Sequence, residues 1–325
     1  AIGRPELSNA PGETNERQRY GALFADLRWG SLFASLSVLD EDYGDHFGIN
    51  HFLPPADRRL ASGQRMLSAQ LGGDWDLAPT LSARLRLEGL RYWRSRNDLY
   101  VFPGGFLHPR PVALRLDARP PDPSDQPITL DLDYRETALL AAADIHWQPV
   151  PGHRLLFGLE SKHVDLDRAS WEWRNFPVTL PPDWLHTGSE RRVLSAVAQD
   201  TFRVGKRLTL TATLRHDNYD DVGGYTSPRA AAVWRVDPSN IIKLQYAKAF
   251  RPPTFYELNY PAGDSIDVAE IGTYELGYIL RRPTWEARTI LFHSDLKGPI
   301  LLEEEGFNNG PDAELRGVEL EYVQR

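Results

Sequence analysis

The sequence predicts an all-β protein, specifically a transmembrane antiparallel up-and-down β-barrel. Two observations support this: long segments in which apolar and polar residues alternate, and connectors that are alternately short and long. Strands of soluble proteins are mostly about five or six residues long. Alternation alone is also compatible with a soluble sandwich or propeller. The strand lengths and the alternation of short and long loops favour the barrel.

The alternating segments predict which side chains meet lipid. Residues 208–215 read LTLTATLR, so the leucines and the threonines fall on opposite faces of one strand. We expect the aliphatic faces to contact lipid and the polar faces to line a wet lumen. The residues expected to face lipid are Leu208, Leu210, Leu214, Ile242 and Leu244, and those expected to face the lumen are Thr209, Thr211, Arg84 and Arg86.

The connectors divide into tight turns and long loops. The long ones are predicted near 40–64, 94–134, 167–190, 250–270 and 297–311, and the one around 220–226 is short for its class. This division gives about thirteen strands, many of roughly 10–14 residues. Bacterial single-chain barrels close with an even strand count. The final residues also read as strand, so residues 1–325 are interpreted as an internal part of one larger barrel domain.

Composition excludes several classes of protein. No run of about 18 apolar residues occurs, so no transmembrane helix is predicted. The net charge of −8 disfavours nucleic acid as a partner. The chain contains no cysteine, which removes disulfides and thiolate chemistry.

A family resemblance lies in residues 247–261, AKAFRPPTFYELNYP. This stretch resembles the signature with which a barrel strand enters an extracellular loop in TonB-dependent outer-membrane receptors. The matching residues are Ala249, Phe250, Arg251, Pro253, Phe255, Glu257 and Leu258. A following strand element is similar through Glu270, Thr273, Tyr274, Glu275 and Gly277, although the family's Asn-Pro and Leu-x-Pro parts are replaced by residues 264–269.

Two further elements extend the resemblance in the family's order. LFHSDLKGPIL at 291–301 resembles a Phe-x-x-Asp-Ile-x-Asp-x-Ile element. NNGPDAELRGVELEY is similar to the last segment through Asn309, Ala313, Gly317, Val318 and Glu319. Four motifs in the family's order across 240–323 identify this family specifically. The rest of the chain resembles it only in the alternation of strands and loops.

The resemblance implies a function as well as a fold. It implies a barrel of about 22 strands in the bacterial outer membrane. It also implies a plug domain, absent from this chain, through which a TonB-type protein energises uptake. The implied ligand is a scarce nutrient such as an iron–siderophore complex, haem or cobalamin, with no cofactor. A passive channel, a barrel-embedded hydrolase and a soluble binding domain are the alternatives.

The signature stretch has a local physical interpretation. Pro252 and Pro253 remove two backbone donors, so the strand must end there. Arg251 and the neighbouring aromatic residues suit a membrane interface. Arg251 and Glu257 are expected to brace this rim, and direct ligand contact is the alternative.

Aromatic residues near the extracellular loops are the predicted ligand contacts. The candidates are Trp171, Trp173, Arg174, Phe176, Trp184, Tyr256 and Tyr260. Aromatic faces offer a stacking surface for a planar ligand, although rims of barrels also carry an aromatic girdle.

No catalytic or metal site is predicted. Asp45, His46 and His51 lie close in sequence, but their spacing matches no strong ligand motif. The glycine-rich segments FPGGF and DVGGY precede no helix, so they do not indicate a phosphate site.

Overall fold

The structure, a computed structural model, describes residues 5–56, 58–106, 125–176, 187–303 and 305–324. Thirteen strands form one sheet in which each strand pairs antiparallel with the next one along the chain. The first six are β1 (Gln18–Trp29), β2 (Leu32–Tyr43), β3 (Ser62–Ala78), β4 (Leu81–Phe102), β5 (Ile128–Trp147) and β6 (His153–Arg174). The others are β7 (Ser189–Val204), β8 (Leu208–Tyr219), β9 (Gly223–Arg235), β10 (Asn240–Arg251), β11 (Ala269–Arg281), β12 (Trp285–Lys297) and β15 (Ala313–Gln324).

Three small elements complete the described chain. A 3-10 turn lies at Pro5–Leu7, helix α1 spans Phe255–Asn259, and β13 (Ile300–Glu303) pairs with β14 (Gly306–Asn309) in a separate hairpin. Among the described residues, no helix is long and apolar enough to cross a membrane.

The strand count and the up-and-down order are confirmed. The sheet does not close within the described residues, because β1 and β15 form its two edges, and it is therefore part of a barrel. Connectors alternate as predicted, from the tight turn at 30–31 to the long loop at 44–61, and the connector at 220–222 is the short exception.

The two faces of the sheet differ in the way that the alternation predicts. Leu210, Leu214 and Leu244 are exposed on the outer face, where the apolar side chains meet lipid. On the inner face Thr211 meets Thr201 at 3.4 Å, and Arg84 pairs with Asp74. No second sheet covers the exposed leucines within the described part of the chain, which agrees with a barrel wall.

Two of the predicted loops, 94–134 and 167–190, have wrong boundaries. The alternation pattern predicts loops at residues 94–102, 128–134 and 167–174, but these residues continue β4, β5 and β6. The strands extend because Leu99, Val101, Ile128 and Leu130 form a buried cluster that Phe102, Trp173 and Phe176 cover. These strands therefore rise past the membrane as a packed extracellular wall.

Irregular pairing reshapes this wall. The β4–β5 register shifts between Arg96 and Leu99, and Asp98 there has a positive φ of 53°. The Asp131 carboxylate accepts a hydrogen bond of 2.7 Å from the Asp98 backbone N–H. A bulge leaves an unpaired donor, and this bond satisfies it.

We expect an arginine on the outer face to be costly. Leu214→Arg should lower the free energy of unfolding by about 2–4 kcal/mol, because the outer face meets hydrocarbon. Thr211→Arg, on the inner face of the same strand, is the matched control and should cost much less. Unfolding in lipid vesicles, followed by heat-modifiable mobility, measures both. Equal costs would contradict the assignment of the faces.

Candidate functional site

The signature stretch forms a compact structure at the extracellular rim. Strand β10 ends at Arg251, and after the two prolines the chain enters α1. Thr254 is the N-cap: its hydroxyl accepts from the Glu257 N–H at 3.3 Å, and the Glu257 carboxylate accepts from the Thr254 N–H at 2.7 Å. This capping box satisfies backbone donors that otherwise lack partners at a helix start.

Arg251 and Glu257 form a two-pronged ion pair. The guanidinium donates to both carboxylate oxygens at 2.9 and 3.1 Å, and Glu257 as a whole is buried. Burial alone would raise the pKa of the Glu257 carboxyl, but hydrogen bonds from Arg251 and Thr254 hold that pKa below its ordinary value. The pair ties the end of β10 to α1.

Arg191 on β7 reaches the same structure from a distant part of the chain. It donates to the Pro253 carbonyl at 2.8 Å and to Asp221 at 2.6 Å. Its guanidinium carbon lies 5.2 Å from the Phe255 ring centroid and 5.7 Å from that of Tyr219. We call Arg191, Arg251, Pro253, Thr254 and Glu257 the rim cluster. Sequence reasoning missed Arg191, because no local motif links it to the prolines.

The loops 252–268 and 298–312 are joined. Asn309 donates to the carbonyls of Asp267 and Gly298 and accepts from the Asp267 N–H at 2.8 Å. The Phe307 ring lies 5.1 Å from Tyr256 and 6.4 Å from Tyr260, between ring centroids. The two predicted ligand tyrosines therefore pack against this loop partner.

The predicted aromatic site on β6 is only partly available. Trp171 is 42% exposed, whereas Trp173 and Phe176 pack against the buried cluster of the wall. Arg174 pairs with Asp98 at 3.3 Å and with Asp131. The sequence predicts a loop at Trp171, Trp173 and Arg174, but these residues lie in β6, where alternation turns Arg174 away from Trp173. Trp184 lies outside the described residues.

The remaining signature residues divide between the two faces of β11 and β15. Glu270 pairs with Lys248 at 2.9 Å, and the Tyr274 ring lies 4.7 Å from that of Tyr246. Glu275 and Gly277 alternate to the opposite face, and Leu258 continues α1.

Gly317 has a packing reason to be glycine. A Cβ there would lie 2.4 Å from the Phe292 ring. Phe292 is its register partner on β12, so the ring can lie flat over the backbone only because position 317 has no side chain. Glu319 follows on the same face, opposite Ile290.

Asp45 has a structural role rather than an open coordination position. It is buried, accepts from Asn15 at 3.1 Å and pairs with Arg58 at 3.2 Å. These contacts join the segment before β1 to the loop 44–61. The neighbouring His46 and His51 adopt positive φ values of 46° and 59° in that loop.

A polar and aromatic inner wall lies on β4 and β5, on the membrane side of these contacts. Tyr92 and Tyr134 meet edge to face at 6.1 Å, and Tyr92 donates to Gln64 at 3.3 Å. Arg94 and Arg96 follow Tyr92 on the same face by alternation. The Arg96 Nε has no hydrogen-bond partner among the described residues. This wall combines cations and rings near the extracellular end.

The sheet, its two chemically distinct faces and its long, braced loops define a transmembrane barrel of the outer-membrane type. A family model described as TonB dependent receptor-like, beta-barrel matches residues 6–325. The chain therefore belongs to this family of receptor barrels, and the resemblance inferred from the sequence is confirmed.

Solved structures agree on the fold. The ferric enterobactin receptor PfeA of Pseudomonas aeruginosa matches with a TM-score of 0.67 at 16% identity, covering 96% of this chain and 52% of that one. The siderophore receptor PirA of Acinetobacter baumannii gives 0.62 at 15%, covering 98% and 53%. The ferric-catecholate import receptor Fiu of E. coli K12 gives 0.62 at 14%, covering 94% and 60%. The chain thus spans little more than half of these relatives.

We expect loss of the rim cluster to loosen the loop without unfolding the barrel. Arg191→Met removes the hydrogen bond to the Pro253 carbonyl and should increase the mobility of loop 252–268. Because the chain has no cysteine, a spin label on Asp264→Cys reports that loop alone. Arg192→Met is the matched control, since Arg192 pairs at the surface with Glu190. An unchanged spectrum in Arg191→Met would contradict the bracing role.

Acid should loosen the same loop. The pKa of Glu257 is lowered in the folded rim, so its stabilising effect is complete above the ordinary carboxyl pKa of 4.5 and disappears as the pH falls through the lower folded value. The Asp264→Cys label should therefore gain mobility only below that ordinary pKa. Glu257→Gln should remove most of this dependence. A transition near neutral pH would contradict the assignment to Glu257.

Proposed function

We propose that the chain forms part of a receptor in the bacterial outer membrane that takes up a scarce nutrient and is energised by TonB through a plug domain. Membership of the receptor family supports this proposal. The observation that carries it is the inner wall at the extracellular end, where Arg94, Arg96, Tyr92 and Tyr134 lie together.

The ligand we infer is an anionic chelate with aromatic rings, as in an iron–siderophore complex. Guanidinium groups bind anionic oxygens, and rings stack on planar groups at small entropic cost. Arg96 lies on this wall with its Nε buried and without a partner among the described residues, and its guanidinium is proposed to donate to the ligand. The structural neighbours, a ferric enterobactin receptor and a ferric-catecholate import receptor, support the same class, whereas haem and cobalamin are less favoured alternatives.

The predicted aromatic residues take different parts in this proposal. Trp171 retains exposed ring surface and is proposed to touch the ligand. Trp173 and Phe176 support the wall from behind, and Tyr256 and Tyr260 hold the loop 252–268 against its neighbour. The rim cluster is proposed to position these loops rather than to bind.

Transport, rather than catalysis, is the proposed activity. A passive channel would conduct without a saturable binding step and without energy. Saturable binding in the cold, together with uptake that stops when TonB is removed, would favour the receptor over the channel. Diffusive uptake that is independent of TonB would favour the channel.

We expect Arg96→Gln and Trp171→Ala to weaken binding of a ferric siderophore to whole cells. Each removes one contact, so a loss of about 1–3 kcal/mol, or roughly five- to 150-fold in affinity, is expected for each. Arg65→Gln is the matched control, because Arg65 pairs with Asp40 on the outer face. Surface amounts are compared by heat-modifiable mobility. Unchanged affinity in both variants at normal surface levels would reject this wall as the binding site.

A further inference from the structure

A second cluster with ligand chemistry lies on the outer face, away from the inner wall. His293 and Asp295 are two residues apart on β12, and Glu314 lies on β15 directly opposite Asp295 in the register. One donor atom from each of these three residues lies within 4.8 Å of the others. The structure describes no other such group of three.

The distances suit a tetrahedral metal ion. The His293 Nε2 lies 3.4 Å from the Asp295 Oδ1 and 3.5 Å from the Glu314 Oε1. Zinc bonds of about 2.0–2.2 Å in a tetrahedron place donor atoms about 3.3–3.6 Å apart. Two edges of the required tetrahedron are therefore already present, on paired strands whose backbone ladder fixes their spacing.

The location is the extracellular end of the outer face. Leu291, Val318 and Leu320 lie on the same face and are exposed, which identifies it as the lipid side. Residues 298–312, the long loop that follows β12, begin just beyond Asp295. A polar cluster here lies above the apolar band, at the level of the headgroups, where water can supply further ligands.

Without a metal, the Arg316 guanidinium is the counter-ion of the Glu314 carboxylate. It donates to the Glu314 carboxylate, and its Nε lies 3.3 Å from the His293 Nδ1. In that bond Nδ1 is the acceptor, so the ring proton lies on Nε2. A metal binds the ring nitrogen that carries no proton, so this proton must move to Nδ1 before Nε2 can become a ligand. The Arg316 side chain is 71% exposed, so it can turn away and let the ring change tautomer.

We propose that His293, Asp295 and Glu314 form a binding site for a divalent transition metal, Zn²⁺ or Cu²⁺, on the outer wall of the barrel, and that Arg316 competes with the metal for it. One imidazole and two carboxylates are a donor set that such borderline ions accept. The bound metal would cross-link β12 to β15 and replace the guanidinium as counter-ion. The site is independent of the nutrient-binding wall.

The test uses the full chain in detergent, with Cu²⁺ as the spectroscopic probe and Zn²⁺ as competitor. We expect one saturable Cu²⁺ site whose electron paramagnetic resonance spectrum shows a single imidazole nitrogen and which Zn²⁺ displaces. His293→Ala should abolish the nitrogen signature. Glu314→Gln keeps the side-chain shape and should weaken affinity at least about tenfold, the size seen when even an outer-shell partner is lost.

Two variants make the experiment decisive. His216→Ala is the matched control, because His216 also lies on the outer face but contacts Thr226 and belongs to no metal-type group among the described residues. It should leave binding unchanged. Arg316→Met should tighten binding by removing the competitor. Binding that survives His293→Ala, that does not tighten in Arg316→Met, or that is absent from the unmodified protein at submillimolar metal would overturn the proposal. Heat-modifiable mobility confirms folding of each variant.

Discussion

The pairing of every backbone N–H and C=O within the sheet is the constraint on which the rest of this structure depends. Hydrocarbon offers no hydrogen bonds, so a strand in it must be paired on both sides. The strands β2 to β12 meet this demand by pairing with a neighbour on each side, and β1 and β15 are the edges of the described sheet. Strict alternation of the side chains follows, and with it the division into an apolar outer face and a polar inner face.

The same constraint explains the rim. Where β10 ends, Pro252 and Pro253 have no N–H to donate, and the carbonyl of Pro253 needs a partner outside the ladder. Arg191 supplies it from β7, while Thr254 and Glu257 satisfy each other across the start of α1. Side chains thus provide the hydrogen bonds for backbone groups at the point where the strand-to-strand ladder ends.

Above the membrane, burial of apolar side chains away from water stabilises the extended strands. β4, β5 and β6 continue past the lipid because Leu99, Val101, Ile128 and Leu130 bury one another there. This packed wall gives Trp171 and the inner-face arginines a rigid support. A rigid support is what a binding surface needs, because side chains that are already ordered lose less freedom when a ligand binds.

The sequence by itself determined the fold class, the strand count and which side chains face lipid. These follow from local alternation and turn residues, which act within a few positions of the chain. It also contained the Thr254–Glu257 capping pattern, so the unpredicted helix α1 could have been found. The four ordered motifs identified the family.

Only the tertiary structure decided which residues meet. Arg191 reaches Pro253 across sixty-two positions of sequence, and Asp295 meets Glu314 only through the register of β12 and β15. The sequence leaves Trp173 as either a ligand contact or part of a rim girdle, and packing against a cluster built from β4 and β5 covers it. Contacts of this kind depend on strand register and on packing between distant segments, and neither leaves a periodic or local signal in one chain.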